Sequence, residues 1–119
     1  MTAATASEVI GDIRVIDADT HLTEPHDLWT SRAPKGWEER VPRVHDIDGR
    51  PNWVLDGEVF GRAGGAAVIK PDGTKVFGPA FMGFWMDDVH PAAFDVGHRL
   101  AMMDAMGIHA QIVYPNVVG

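Results

Sequence analysis

The run Ile13-Arg14-Val15-Ile16-Asp17-Ala18, continued by Asp19-Thr20-His21, decides how the chain is read. It is short and rich in β-branched residues, the composition of a strand. Its apolar side chains fall on both faces, as in a strand buried on both sides within a parallel sheet. At its C-terminal end the apolar pattern gives way to Asp17, Asp19 and His21. Side chains alternate along extended backbone, so these three are predicted to project to one side. Asp19 and His21 then offer a carboxylate oxygen and an imidazole nitrogen to a single ion. That donor set suits zinc or another divalent first-row metal. An Asp-x-His also occurs without any metal, and two donors fall short of the roughly three protein ligands of a catalytic site. Carboxylates at the end of a buried strand nevertheless cost free energy unless they are solvated, paired or coordinated.

Working outward, residues 1–11 are small and polar and read as a loose arm. Pro25 ends regular pairing, and a short helix is predicted through His26-Asp27-Leu28-Trp29. The stretch from Ala33 to Val44 holds Pro34, Gly36 and Pro42 and reads as irregular, with a helical turn near Trp37-Glu38-Glu39-Arg40. Trp53-Val54-Leu55 and Glu58-Val59-Phe60 flank Asp56-Gly57, a pair favoured in type I′ hairpin turns. A similar signal recurs as Ala67 to Lys70 and Lys75 to Phe77 around Pro71-Asp72-Gly73-Thr74. Together they predict a small β-hairpin insertion over about 50–78. An apolar loop follows, with Phe81, Phe84 and Trp85 as pocket or contact candidates. A helix over about 92–106 is predicted to bury Val96, Leu100 and Met103, with Gly107 as its left-handed cap. Ile108 to Tyr114 reads as a second strand over about 108–114, closed by Pro115-Asn116.

Strand, helix and strand in this order call for a right-handed parallel crossover, hence an α/β fold. Two strands and one main helix do not close a core. Residues 1–119 therefore read as one partial domain, ending just after a strand whose neighbours are missing.

The 119 residues carry 10 Lys and Arg against 17 Asp and Glu, a net charge of −7. Nucleic-acid binders normally show a basic stripe, so an acidic balance argues against a phosphate-backbone partner. No apolar run reaches the roughly 18 residues of a membrane span, and the first eleven residues lack the pattern of a secretory signal. There is no cysteine, so thiolate metal sites and disulfides are excluded. The expectation is a soluble, cytoplasmic chain.

The run from Val15 to Trp29, with Asp17-Ala18-Asp19-Thr20-His21 at its head, resembles the opening of the amidohydrolase-related family. This is the branch of the amidohydrolase superfamily that includes aminocarboxymuconate-semialdehyde decarboxylase. Arg99 to Asn116 resembles the same family's first helix and second strand. The resemblance implies the N-terminal part of a metal-dependent (β/α)₈ TIM barrel, with chemistry at the C-terminal ends of the strands. It implies that Asp19 and His21 are metal ligands, of which Asp19 replaces the histidine found in many relatives. The implied cofactor is a divalent metal, with zinc expected. It activates a water or polarises an oxygen of a small-molecule substrate, in hydrolysis or in decarboxylation. The family's other ligands come from later strands, so the 119-residue chain alone is expected to be inactive. The full-length protein is expected to be free to associate with copies of itself.

Asn116, just past the second strand, falls on the implied catalytic rim as a substrate-binding candidate, or else stabilises a turn after Pro115. Glu24 reads as a helix-start residue and His26 as a residue behind the ligands. His45, His90, His98 and His109 share no ligand spacing and read as surface or packing residues. Trp29, Trp37, Trp53 and Trp85 read as core and lid packing. Gly61 to Gly65 lacks the context and the Lys-Ser/Thr ending of a phosphate loop. No residue is assigned as acid, base or nucleophile. The competing expectation is a non-catalytic remnant or interaction module that pairs through its open strand edge and the Phe81 to Met86 loop.

Overall fold

A reciprocal pair of hydrogen bonds opens the described part of the chain. In the computed structural model, which describes residues 4–64 and 67–117, Ala6–Ile10 forms a short helix, α1. Glu8 accepts from the N–H and the hydroxyl of Thr5 at 2.7 and 2.8 Å, and Thr5 Oγ1 accepts from Glu8 N–H at 3.4 Å. This is a capping box, a Thr-x-x-Glu signal that the expectation of a loose arm overlooked. Positions 1–3, 65–66 and 118–119, the end of the Gly61–Gly65 run among them, lie outside the described residues.

The strand β1 spans Val15–His21, followed by β2 (Arg43–Ile47), β3 (Arg50–Leu55), β4 (Glu58–Arg62), the helix α2 (Val96–Met106) and β5 (Ile108–Tyr114). β1 and β5 pair in parallel, with Val15 opposite Ile108 and His21 opposite Tyr114. The three middle strands form a separate antiparallel sheet in the order β2-β3-β4. The chain is thus a mixed α/β structure in which α2 leads directly into the second parallel strand.

The antiparallel sheet differs from the insertion expected over 50–78. Its strands run from Arg43 to Arg62, so β2 lies partly in the stretch read as irregular. The cause is a second Asp-Gly turn. Asp48 and Gly49 have φ of 53° and 76°, matching 50° and 83° at Asp56 and Gly57. Two-residue hairpins need positive φ at both central positions, and Asp-Gly tolerates them. The expected second hairpin shrinks to one bridge between Ile69 and Lys75. Pro71 has no N–H to donate, and Asp72 turns its carboxylate onto the N–H and hydroxyl of Thr74 at 2.9 and 2.7 Å. Local side-chain bonds of this kind compete with a ladder.

The helix expected over 92–106 is divided. A 3₁₀ turn covers Pro91–Ala93, and α2 starts only at Val96. Asp95 caps it, its carboxylate accepting from His98 N–H at 2.8 Å. Gly107 ends it at φ 70°, as the left-handed cap requires. Two of the three residues expected to be buried point outward: Val96 is 72% and Leu100 55% exposed. Met103 keeps to the inner side as expected, together with Arg99 and Met102. The short helix expected at His26–Trp29 is a series of turns ending in a 3₁₀ turn at Thr30–Arg32.

The core centres on β3 and the loops around it. Trp53, at 1% exposure, is buried with Pro51, Val54, Ala63, Val89 and Ala92. Gly64 is needed there because a Cβ would overlap the Met82 carbonyl. Trp37 is exposed rather than core, with the Arg40 guanidinium 5.0 Å from its ring centroid.

Candidate metal-binding pair and cavity

The C-terminal end of β1 positions the acidic cluster, and one irregularity there changes the expected geometry. Asp17 lies opposite Gln111, but Thr20 lies opposite Val113, so β1 holds an extra residue between them. A bulge breaks the strict alternation of side chains. Asp17, Asp19 and His21 therefore do not simply repeat one face, and Thr20 joins them in lining a cavity of about 390 Å³. α2, β5 and the segments about residues 67–69 and 90–93 supply the rest of the wall.

Asp17 is already engaged. Its carboxylate accepts from the side-chain N–H of Gln111 at 3.0 Å and from Asp19 N–H at 3.3 Å. Gln111 in turn accepts from Arg99 at 3.2 Å, and Arg99 also donates to the carbonyl of His21 at 3.0 Å. The chain Arg99–Gln111–Asp17 links helix to both parallel strands and orients the Gln111 amide without ambiguity.

Asp19 and His21 are brought together, with Nε2 3.7 Å from Oδ1. His21 Nδ1 lies 3.2 Å from the carbonyl oxygen of Pro115. A carbonyl can only accept, so Nδ1 holds a proton, and in the neutral imidazole the lone pair is on Nε2, toward Asp19. Metal-binding histidines are oriented in this way. Two donors on one tetrahedral zinc sit roughly 3.4 Å apart, close to the observed separation. The Asp19 side chain is 88% and the His21 side chain 47% exposed, so an ion has access. Among the described residues no group of three or more His, Cys, Asp or Glu could hold a metal. The pair fits half of a metal site.

Asn116 is not among the residues that line the cavity and is held by its own chain. Its backbone N–H and that of Val117 donate to Glu24 Oε1 at 2.7 and 3.1 Å, and its side chain donates to the Gly64 carbonyl at 3.4 Å. Glu24, only 4% exposed, thus ties the exit of β1 to the exit of β5 rather than starting a helix. His26 is placed elsewhere: Nε2 lies 3.1 Å from the Ala63 carbonyl oxygen, and its ring meets Trp53 and Trp85 edge-on at 6.3 and 5.6 Å. His98 serves the cap of α2 with Asp95 at 2.7 Å.

His90, Arg99 and Gln111 line the cavity and were not singled out by sequence reasoning. Pro91 beside His90 gave a weak signal, since the turn it starts turns the histidine inward. Arg99 and Gln111 gave none, because their partners lie on other elements.

No protein-family model matches the chain, and no curated protein matches it. The structure is similar to the crystal structure of an amidohydrolase from Mycobacterium avium subsp. paratuberculosis, with a TM-score of 0.58 and 23% identity. The match covers 88% of this chain and 31% of that one, so the chain spans about a third of its length. The likeness is one of fold: the chain is built like part of an amidohydrolase.

Proposed function

We propose that this chain is the N-terminal part of a metal-dependent (β/α)₈ enzyme of the amidohydrolase superfamily, of the decarboxylase-containing branch. It acts in the cytoplasm as a hydrolase or decarboxylase on a small organic acid or amide. Asp19 and His21 are its first metal ligands, zinc is the metal, and Asn116 stands on the substrate rim. The observation that supports this best is the Asp19–His21 pair at the C-terminal end of a parallel strand, with His21 already oriented by the Pro115 carbonyl. A divalent ion bound there would acidify a water or polarise a substrate oxygen. The chain's own residues prepare the place. Pro115 holds the histidine proton on Nδ1, and Gln111 keeps Asp17 occupied, so that Asp19 is the available carboxylate.

Zinc titration of the purified chain, followed by calorimetry and by the ring ¹⁵N shifts of His21, tests the reading. One zinc per chain is expected, with His21 Nε2 as the responding nitrogen. D19A and H21A should each weaken binding at least about tenfold, the scale on which metal sites respond to losing a supporting group. Wild-type affinity in both variants would remove the assignment.

A second reading is favoured by the exposed apolar surface of the parallel pair, Ile16 and Ile112 above all. It makes the chain a non-catalytic module that pairs with another protein or with a copy of itself. The Phe81 to Met86 loop supports this less than its sequence implied, since Phe81, Phe84 and Trp85 are half-buried by their own chain.

A further inference from the structure

Asp-Gly occurs three times, at Asp48-Gly49, Asp56-Gly57 and Asp72-Gly73, each time in an exposed loop. The glycine after such an aspartate has no side chain to shield its nitrogen. That nitrogen is the nucleophile that closes a five-membered imide onto the aspartate carboxyl group. The three pairs share this chemistry, so what separates them is how the fold holds the two reacting groups.

At the first pair the Gly49 N–H donates to the Asp46 carboxylate at 2.7 Å. A hydrogen bond to a charged acceptor is strong, and this one keeps both the proton and the nitrogen away from Asp48. At the third pair both reacting groups are held. Gly73 N–H donates to the Lys70 carbonyl at 2.9 Å, and the Asp72 carboxylate accepts from the hydroxyl and the N–H of Thr74 at 2.7 and 2.9 Å. The Thr74 hydroxyl, and next its N–H, keep the Asp72 carboxyl below the usual aspartate range, which lowers the share of the protonated form that loses water. Asp56-Gly57 has neither restraint. Among the described residues no hydrogen bond or ion pair engages the Asp56 carboxylate or the Gly57 N–H. The comparison with Asp48 is close, since the two hairpin turns have nearly the same backbone, φ 53° and 76° against 50° and 83°. They differ in the Asp46 clamp.

We propose that Asp56-Gly57 is a site of spontaneous isoaspartate formation, and that Asp46 protects the matching turn at Asp48-Gly49. The nitrogen of Gly57 bonds to Cγ of Asp56 as a carboxyl C–O bond breaks. The oxygen leaves as water, carrying the carboxyl proton and the amide proton. Water then opens the imide. Cleavage of the bond between that nitrogen and Cγ restores aspartate, whereas cleavage at the main-chain carbonyl carbon leaves the chain running through Cγ. The second product has the mass and charge of the first but a backbone longer by one methylene. Loop length fixes the register of a two-residue hairpin, so the added methylene falls where Leu55 faces Glu58. The proposal is independent of the metal assignment.

The test ages the intact chain at neutral pH and physiological temperature in ¹⁸O-labelled water and maps isoaspartate by electron-transfer fragmentation. The isotope enters once for each imide opened. Asp56 is expected to convert about fivefold faster than Asp48 or Asp72, the scale of one hydrogen bond that must first break. D46A should bring Asp48 to the Asp56 rate and leave Asp56 as it was. In urea, where the turns are lost, the three sites should convert alike. Conversion led by Asp48 or Asp72, equal rates in the folded chain, an unmoved Asp48 in D46A, or the same lead of Asp56 in urea would each overturn the proposal. If D46A does not fold, the wild-type order in buffer and in urea decides alone.

Discussion

Glu24 shows what a single side chain does for the site. Its one oxygen Oε1 takes two backbone N–H groups, those of Asn116 and Val117, in a place that is 4% exposed. E24A leaves both donors without that acceptor, which should cost about 2–4 kcal/mol at the usual penalty for orphaned buried groups. Urea unfolding measures it. E24Q keeps an acceptor oxygen and should lose less than half as much; equal losses would mean that the charge rather than the acceptor matters. At this scale some near-neighbour partners could be read from spacing and others, such as Thr5 and Glu8, were not. Asp19 and His21 stand two positions apart and meet at 3.7 Å, so their closeness is legible in the spacing. The partner of Glu24 lies 92 residues away, and no local pattern points to it. The same holds for Arg99, whose role depends on Gln111 and on the carbonyl of His21.

Elements were legible where turn chemistry or a cap fixed them. The Asp56-Gly57 turn was read, and the identical Asp48-Gly49 turn was passed over because the prolines before it made the region look irregular. α2 ends where expected but starts four residues late, and of the expected stripe only Met103 turns inward, beside Arg99, whose inward partners lie on other elements. Its start lies at Asp95, whose carboxyl is held below the usual aspartate range by the His98 backbone N–H and, next, by the His98 side chain. A lowered folded-state value means that the cap stabilises α2 above the ordinary aspartate value of 3.8. That support is lost as pH falls through the still lower folded value. The amide protection of Val96 to Arg99 should therefore be constant from neutral pH down to the aspartate range and fall below it. D95N, which keeps a cap oxygen without the charge, should flatten that dependence. An unchanged profile in D95N would show that the titration belongs to another group.

The whole molecule is more open than a closed domain of its length. Its radius of gyration is 16.9 Å, against about 13–14 Å for a compact domain of this size. Its accessible surface is 8170 Å², against roughly 6,300 Å² for a folded monomer of equal mass. Part of the open surface is the parallel pair, where Ile16 and Ile112 face outward, with Leu100 on α2 beside it, and, among the described residues, β1 and β5 pair only with each other. Such a surface should bind a hydrophobic dye and drive association that grows with protein concentration. Ile112→Lys should reduce both without loss of secondary structure; sedimentation and dye fluorescence read the result. A monomer that binds no dye would show the surface to be satisfied as it stands. The long separations that close the site have one more consequence, and it concerns time. The carbonyl that sets the His21 proton belongs to Pro115, 94 residues later in the chain. At ordinary synthesis rates that residue is added roughly 5–20 s after His21. Throughout that interval the growing polypeptide lacks the carbonyl that orients the His21 ring, so the ring is fixed beside Asp19 only after translation has passed Pro115.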